Sequence, residues 1–111
     1  DNTYTWNGQS YSLKQHGFAR DLPWQVIDQN DDRPSITLGL GSNPQTLAVY
    51  PFDFDLTFTY TLDRNSLRLH QRYSNRSAIA MPFSAGFHPY FQVADKSQLE
   101  FSIPAQQFQD Q

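Results

Sequence analysis

The sequence contains no cysteine, which excludes disulfide bonds, thiolate metal sites and a cysteine nucleophile. Its formal net charge is −3 and it has no block of basic residues, so it lacks the phosphate contacts that nucleic-acid binding requires. It also lacks an apolar run of the roughly 18 residues that cross a membrane. We therefore expect no nucleic-acid partner and no membrane span, and the absence of cysteine is typical of a reducing compartment such as the cytoplasm.

Several motifs of metal, phosphate-binding and hydrolase sites are also missing. The histidines His16, His70 and His88 share no short spacing of the kind that metal ligands show. No glycine-rich phosphate loop and no Gly-x-Ser-x-Gly nucleophile elbow occurs. We expect no metal site. His70 lies between Arg68 and Arg72, where two cations would oppose its protonation, and we expect it to be solvated.

Aromatic residues, by contrast, make up 15% of the 111 residues, and together with frequent Thr and Ser they favour strands. The clearest pattern is the alternation of apolar and polar residues over 55–62, which continues after a turn over 67–73. We predict further strands at 4–6, 9–13, 24–28, 35–40, 79–83, 90–93 and 98–103, and one helical turn over 45–50. The chain is therefore predicted to be all-β, an antiparallel sandwich or barrel.

Two histidine-centred segments carry the chemistry of the sequence. They are His16-Gly-Phe-Ala-Arg20 and Gly86-Phe-His88-Pro-Tyr-Phe91, each of which sets an imidazole among aromatic residues and a glycine. An imidazole can give or take a proton near neutral pH. The two segments predict a proton-transfer site for a flat, hydroxylated substrate.

Each candidate residue also has an ordinary structural interpretation. His16 could be a loop histidine that hydrogen-bonds to the backbone. Arg20 could be a surface charge paired with Asp21, which would contribute about 0–1 kcal/mol. His88, which Pro89 biases towards extended geometry, could be a core histidine that is satisfied by a backbone carbonyl.

The order of four motifs resembles the aldose 1-epimerase (galactose mutarotase-like) family. The motifs are His16-Gly-Phe-Ala-Arg-Asp-Leu-Pro-Trp24, Tyr50-Pro-Phe-Asp-Phe54, Met81-Pro-Phe-Ser84 and Gly86-Phe-His-Pro-Tyr-Phe91. The resemblance implies a large antiparallel β-sandwich with a sugar site on its concave face. It also implies a cofactor-free isomerase, whose substrate is a monosaccharide or a sugar phosphate.

The resemblance also implies roles for individual residues. His88 matches the family histidine that protonates the pyranose ring oxygen as general acid, and His16 matches the histidine that hydrogen-bonds the sugar nearby. Arg20 looks like the substrate-holding arginine of relatives that are related to hexose-6-phosphate epimerases. The family's general base is a glutamate late in the domain, and the surroundings of Glu100, the only glutamate here, do not resemble that segment.

We therefore expect residues 1–111 to be a single partial domain, the N-terminal and middle part of such a sandwich, and to be inactive alone. Both ends of the sequence look cut through a longer domain, because a strand pattern starts almost at once and no final element closes the chain. The alternatives are a non-catalytic carbohydrate-binding sandwich and a purely structural β domain.

Overall fold

The computed structural model describes residues 2–104, and its first element is a tight hairpin. Strand β1 (Thr3–Trp6) pairs with β2 (Gln9–Ser12) in antiparallel register. The two residues between them, Asn7 and Gly8, have φ angles of 49° and 78°. Such angles define a type I′ turn, which an Asn-Gly pair adopts readily. The predicted hairpin is therefore confirmed.

The main element is a four-stranded antiparallel sheet in which the strands follow each other in sequence order. Its strands are β3 (Gln25–Asn30), β4 (Ser35–Gly41), β5 (Phe54–Asp63) and β6 (Ser66–Asn75). The edge strand β3 carries a register irregularity between Val26 and Asp28. Bulges of this kind hinder further strand pairing at a sheet edge.

A short helix, α1 (Pro44–Val49), connects β4 to β5. The side chain of Asn43 accepts hydrogen bonds from the amides of Gln45 and Thr46, and the Thr46 hydroxyl accepts one from the Asn43 amide. This reciprocal capping, with proline at the first helical position, fixes where the helix begins. The helical turn that the sequence predicts here is confirmed.

The two faces of the sheet differ in polarity because the strands alternate apolar and polar residues. Leu38 on β4 is paired directly with Phe58 on β5, and Leu56 with Tyr73 on β6, so these side chains share one face. The opposite face is rich in threonine, and the hydroxyls of neighbouring strands hydrogen-bond there across 3.0 Å. The apolar face therefore carries the packing.

The core of the described chain is small and aromatic. The buried side chains are Leu40, Phe52, Phe54 and Thr46. Around them, ring contacts join Trp6 to Phe52 at 5.1 Å and Phe18 to Phe54 at 5.5 Å between ring centroids. Because few aliphatic side chains are buried, the aromatic contacts supply most of the packing.

The three predicted strands at 79–83, 90–93 and 98–103 are wrong. Residues 79–95 contain no helix or strand, and the only regular element after β6 in the described residues is a 3₁₀ turn at Lys96–Gln98. A strand needs a neighbouring strand to accept its hydrogen bonds, and these residues are mostly exposed and have no such neighbour within 2–104. The all-β, antiparallel class that the sequence predicts is nevertheless confirmed.

Candidate active site

The first histidine segment forms a compact loop between β2 and β3. His16 and Gly17 both adopt left-handed backbone angles, with φ of 69° and 68°. The Gly17 amide donates a hydrogen bond of 2.9 Å to the carbonyl of Lys14, and a 3₁₀ turn follows at Ala19–Asp21. Left-handed angles are uncommon outside glycine, so the loop gives His16 a defined backbone direction.

Two aromatic side chains fasten this loop to the apolar face of the sheet. Phe18 stacks on Phe54 with ring centroids 5.5 Å apart, and Trp24 packs on Phe58 at 4.8 Å. The Trp24 indole N–H also donates a hydrogen bond of 2.8 Å to the Ala19 carbonyl. The loop is therefore anchored on both sides of the 3₁₀ turn.

Both candidate side chains of the loop point to solvent. His16 and Arg20 are exposed, and neither makes a side-chain hydrogen bond or ion pair within the described part of the chain. Asp21, the partner that the ordinary interpretation assigns to Arg20, pairs instead with Lys14. The guanidinium of Arg20 is thus available to a ligand.

The ion pair between Lys14 and Asp21 lowers the pKa of a carboxyl in the loop. The hydrogen bond from the Lys14 ammonium lowers the pKa of the Asp21 carboxyl below its usual 3.8, and the positive charge of Arg20 adds to this effect. The pair closes the loop at its two ends, because the two residues stand on either side of His16 and Gly17. The pair therefore favours the ionised form of Asp21.

Replacing Lys14 with glutamine is expected to raise the pKa of Asp21 towards 3.8. Because the native pKa is lowered, the pair favours the folded state above the unfolded pKa and loses this effect as pH falls through the folded pKa. A carboxyl carbon NMR titration measures the shift, with Lys96→Gln as the control that leaves Asp21 unchanged. An Asp21 pKa that stays the same in Lys14→Gln would rule out the pair in solution.

The second histidine segment is exposed. His88 lies outside any helix or strand and stacks on Tyr90, with ring centroids 4.9 Å apart. Residues 2–104 leave its side chain open to solvent, so they do not by themselves form the core that the ordinary interpretation expects around His88. The segment that precedes it is attached to the sheet, since Phe83 stacks on Tyr73 at 5.3 Å.

The structure places the first histidine segment and the chain that leads to the second on the same face of the sheet. Phe54, Phe58 and Tyr73 all lie on the apolar face and form an aromatic platform, which carries the anchors of the first segment and of Phe83, three residues before Gly86. Within residues 2–104, no side-chain hydrogen bond joins the first segment to His88. The aromatic platform thus anchors the first segment and the chain that leads to the second.

Sequence reasoning missed the part that Tyr50 plays in this arrangement. Its ring contacts Phe18 of the first segment at 5.9 Å, and its hydroxyl donates a hydrogen bond of 2.7 Å to the carbonyl of Pro82, just before the second. The signal was present in the motif Tyr50-Pro-Phe-Asp-Phe54, which marks the family resemblance. A sequence motif does not show which of its residues contact other segments of the chain.

Other kinds of site find no support in the described residues. No group of three or more His, Asp or Glu side chains within 2–104 could hold a metal ion, and no helix there is long and apolar enough to cross a membrane. Two open depressions, of about 340 and about 400 Å³, lie elsewhere on the surface and are lined by neither histidine segment. The two histidine segments and the aromatic platform therefore remain the candidate site.

Comparison with known proteins decides the family. The sequence pattern of the aldose 1-epimerase family matches residues 1–111. The chain belongs to the aldose 1-epimerase family. It is 30% identical to a putative glucose-6-phosphate 1-epimerase from Salmonella typhimurium over 103 residues, which cover 88% of this chain and 32% of that protein.

Solved structures give the same result for the fold of this aldose 1-epimerase family member. A protein from Synechocystis sp. PCC 6803 is similar with a TM-score of 0.64 and 49% identity, over 67% of this chain and 26% of that one. A galactose mutarotase related enzyme from Lactobacillus acidophilus has a TM-score of 0.68 and 38% identity, over 72% and 26%. The fold is galactose mutarotase-like, and the chain spans about a third of the length of the curated relatives it matches.

Proposed function

We propose that these residues are the N-terminal and middle part of an aldose 1-epimerase domain that interconverts the α and β anomers of a hexose or a hexose phosphate. The observation that carries the proposal is the aromatic platform, which anchors the His16 loop and the chain that leads to the exposed His88. The family membership supplies the reaction class. The cytoplasmic location expected from the lack of cysteine belongs to the same proposal.

In the proposed reaction, His88 is the general acid. Its imidazolium gives a proton to the pyranose ring oxygen while a base takes the proton of the anomeric hydroxyl. The bond between C1 and the ring oxygen breaks, and the open form is an aldehyde. Rotation about the C1–C2 bond followed by ring closure, with both protons returned, gives the other anomer. The exposure of His88 supports this role, because the imidazole can reach a bound sugar.

His16 and Arg20 are proposed to hold the substrate. Both are exposed on a loop that Phe18 and Trp24 fix to the sheet, so little ordering would be needed on binding. A guanidinium binds phosphate oxygens with two parallel hydrogen bonds, and the Salmonella relative carries the name of a glucose 6-phosphate enzyme. Arg20 would then be the phosphate contact if the substrate is phosphorylated.

The general base is proposed to lie outside these residues. Glu100 is exposed and falls in the segment without strands, away from the two histidine segments in sequence. A positioned acid or base contributes about 10²–10⁴-fold to a rate, and the chain covers only 32% of its Salmonella relative. The 111 residues alone are therefore expected to be inactive. The complete domain, in which they are joined to the rest of the family's length, is expected to catalyse the epimerisation.

Polarimetry on freshly dissolved α-glucose and α-glucose 6-phosphate tests this proposal. The 111-residue chain should leave the spontaneous rate unchanged, and the complete domain should accelerate at least one of the two sugars. Acceleration by the chain itself would show that the base has been wrongly placed. A complete domain that shifts sugar NMR signals without turnover would be a binding module, and one that does neither would be a structural domain.

A further inference from the structure

Tyr50 lies at the end of α1 and contacts both the His16 loop and the chain before the second histidine segment. It caps the C-terminal end of α1 and is half-buried. Its ring packs against Phe52 at 4.8 Å and Phe54 at 6.1 Å, both buried, and against Phe18 at 5.9 Å. A ring held on three sides has little rotational freedom, so the direction of its hydroxyl is set by the core.

That hydroxyl reaches the chain that leads to the second histidine segment. It donates a hydrogen bond of 2.7 Å to the carbonyl oxygen of Pro82, and the residues that follow, up to His88, form no helix or strand. Their position depends on few attachments: the Tyr50 bond, the stack of Phe83 on Tyr73, and the bond of 2.7 Å from the Asn75 amide to the Ile79 carbonyl. Burial raises the pKa of Tyr50, so the hydroxyl keeps its proton under ordinary conditions.

We propose that Tyr50 is a positioning residue that couples the two histidine segments, holding the His88 segment in register with the His16 loop. It contacts the first segment through Phe18, and through Pro82 it contacts the chain that leads to the second. The catalytic part of this inference rests on the proposed function, in which His88 and the His16 loop act on one sugar. A displacement of about 1 Å in such an arrangement can cost about 100-fold in rate.

The first test uses the 111-residue chain and the substitution Tyr50→Phe, which removes one hydroxyl and keeps the ring. Backbone ¹⁵N order parameters of residues 83–88 should fall, because the segment loses one of its attachments. Tyr4→Phe is the matched control, since the Tyr4 hydroxyl also donates to a backbone carbonyl, that of Val49, at 2.8 Å. The control should leave the order parameters of residues 83–88 unchanged. Unchanged order parameters in Tyr50→Phe, or an equal fall in both variants, would overturn the coupling.

The second test uses the complete domain and separates positioning from general loss of structure. Tyr50→Phe should lower kcat by about 10-fold with little change in KM, and Tyr4→Phe should leave both alone. In a His88→Asn background, Tyr50→Phe should have no further effect on the residual rate, because the residue acts through His88. A further drop there, or a normal kcat in Tyr50→Phe alone, would overturn the positioning role.

The variant His88→Asn tests the proposed function separately from the role of Tyr50. If His88→Asn leaves kcat unchanged, the assignment of the acid fails together with the catalytic part of this inference, whatever Tyr50→Phe does. The order parameters measured on the 111-residue chain then still decide whether Tyr50 holds the segment. If His88→Asn removes activity but Tyr50→Phe does not lower it, the proposed function stands and the role of Tyr50 is wrong.

Discussion

Replacing Phe54 with alanine is expected to lower the free energy of unfolding by about 3–5 kcal/mol. The side chain is 2% exposed, and its ring contacts Phe18 and Tyr50. Alanine would leave a cavity beside the rings of Phe18 and Tyr50, and the loss of stability grows with the volume that stays unfilled. Urea unfolding followed by tryptophan fluorescence measures the change, because Trp6 and Trp24 are both half-buried.

The same substitution should also release the His16 loop. Phe18 would lose the ring on which it stacks, and the Gly17 amide, which is hydrogen-bonded to the Lys14 carbonyl, should lose more of its protection from exchange than the amides of β6 do. The matched control is Phe101→Ala, which removes the same atoms from a side chain that is 71% exposed, and it should cost less than about 0.5 kcal/mol. Equal losses in the two variants would mean that Phe54 is not the centre of the core.

The elements that the sequence predicted well are those whose signals are local. The Asn7-Gly8 turn needs only two residues with positive φ, and the alternation along β5 and β6 needs only one buried face. The cap of α1 likewise lies within four residues, from Asn43 to Thr46. In each case the interaction that fixes the element joins residues close in sequence or on adjacent strands.

The predictions that failed depend on partners far away in the chain. Alternating apolar residues at 79–83 satisfy the pattern of a strand, but a pattern cannot supply the neighbouring backbone that a strand needs. Ile79 and Phe83 are 50% and 59% exposed within the described residues. Relatives of this chain are about three times as long, so much of the family's length that could pair with this segment lies outside it.

The candidate site also has features with a local sequence signal and features that depend on distant partners. Sequence patterns pointed to His16, Arg20 and His88, and the structure shows all three exposed, with the His16 loop and the chain that leads to His88 anchored on one aromatic face. Their roles stay predictions. The contact of Tyr50 with Pro82 could not be predicted, because it spans 32 residues and joins two loops without periodicity. Such contacts depend on tertiary packing, which the local patterns of a single sequence do not predict.

In the complete domain, His88→Asn is expected to lower kcat for mutarotation by about 10²–10⁴-fold and to leave sugar binding largely intact. Asparagine is close to histidine in size and keeps a hydrogen-bond donor, but it cannot deliver a proton to the ring oxygen. The loss should therefore appear in kcat, measured by polarimetry, while the dissociation constant, measured by calorimetry on the sugar, changes little.

His70→Asn is the matched control, because it makes the same chemical change on the polar face of β6, opposite Thr59 and exposed. It should leave kcat and sugar affinity at their original values. A His88 variant with normal kcat would show that another group protonates the ring oxygen. A variant that loses affinity and kcat together would make His88 a binding residue rather than the acid, since an acid acts on the transition state more than on the bound sugar.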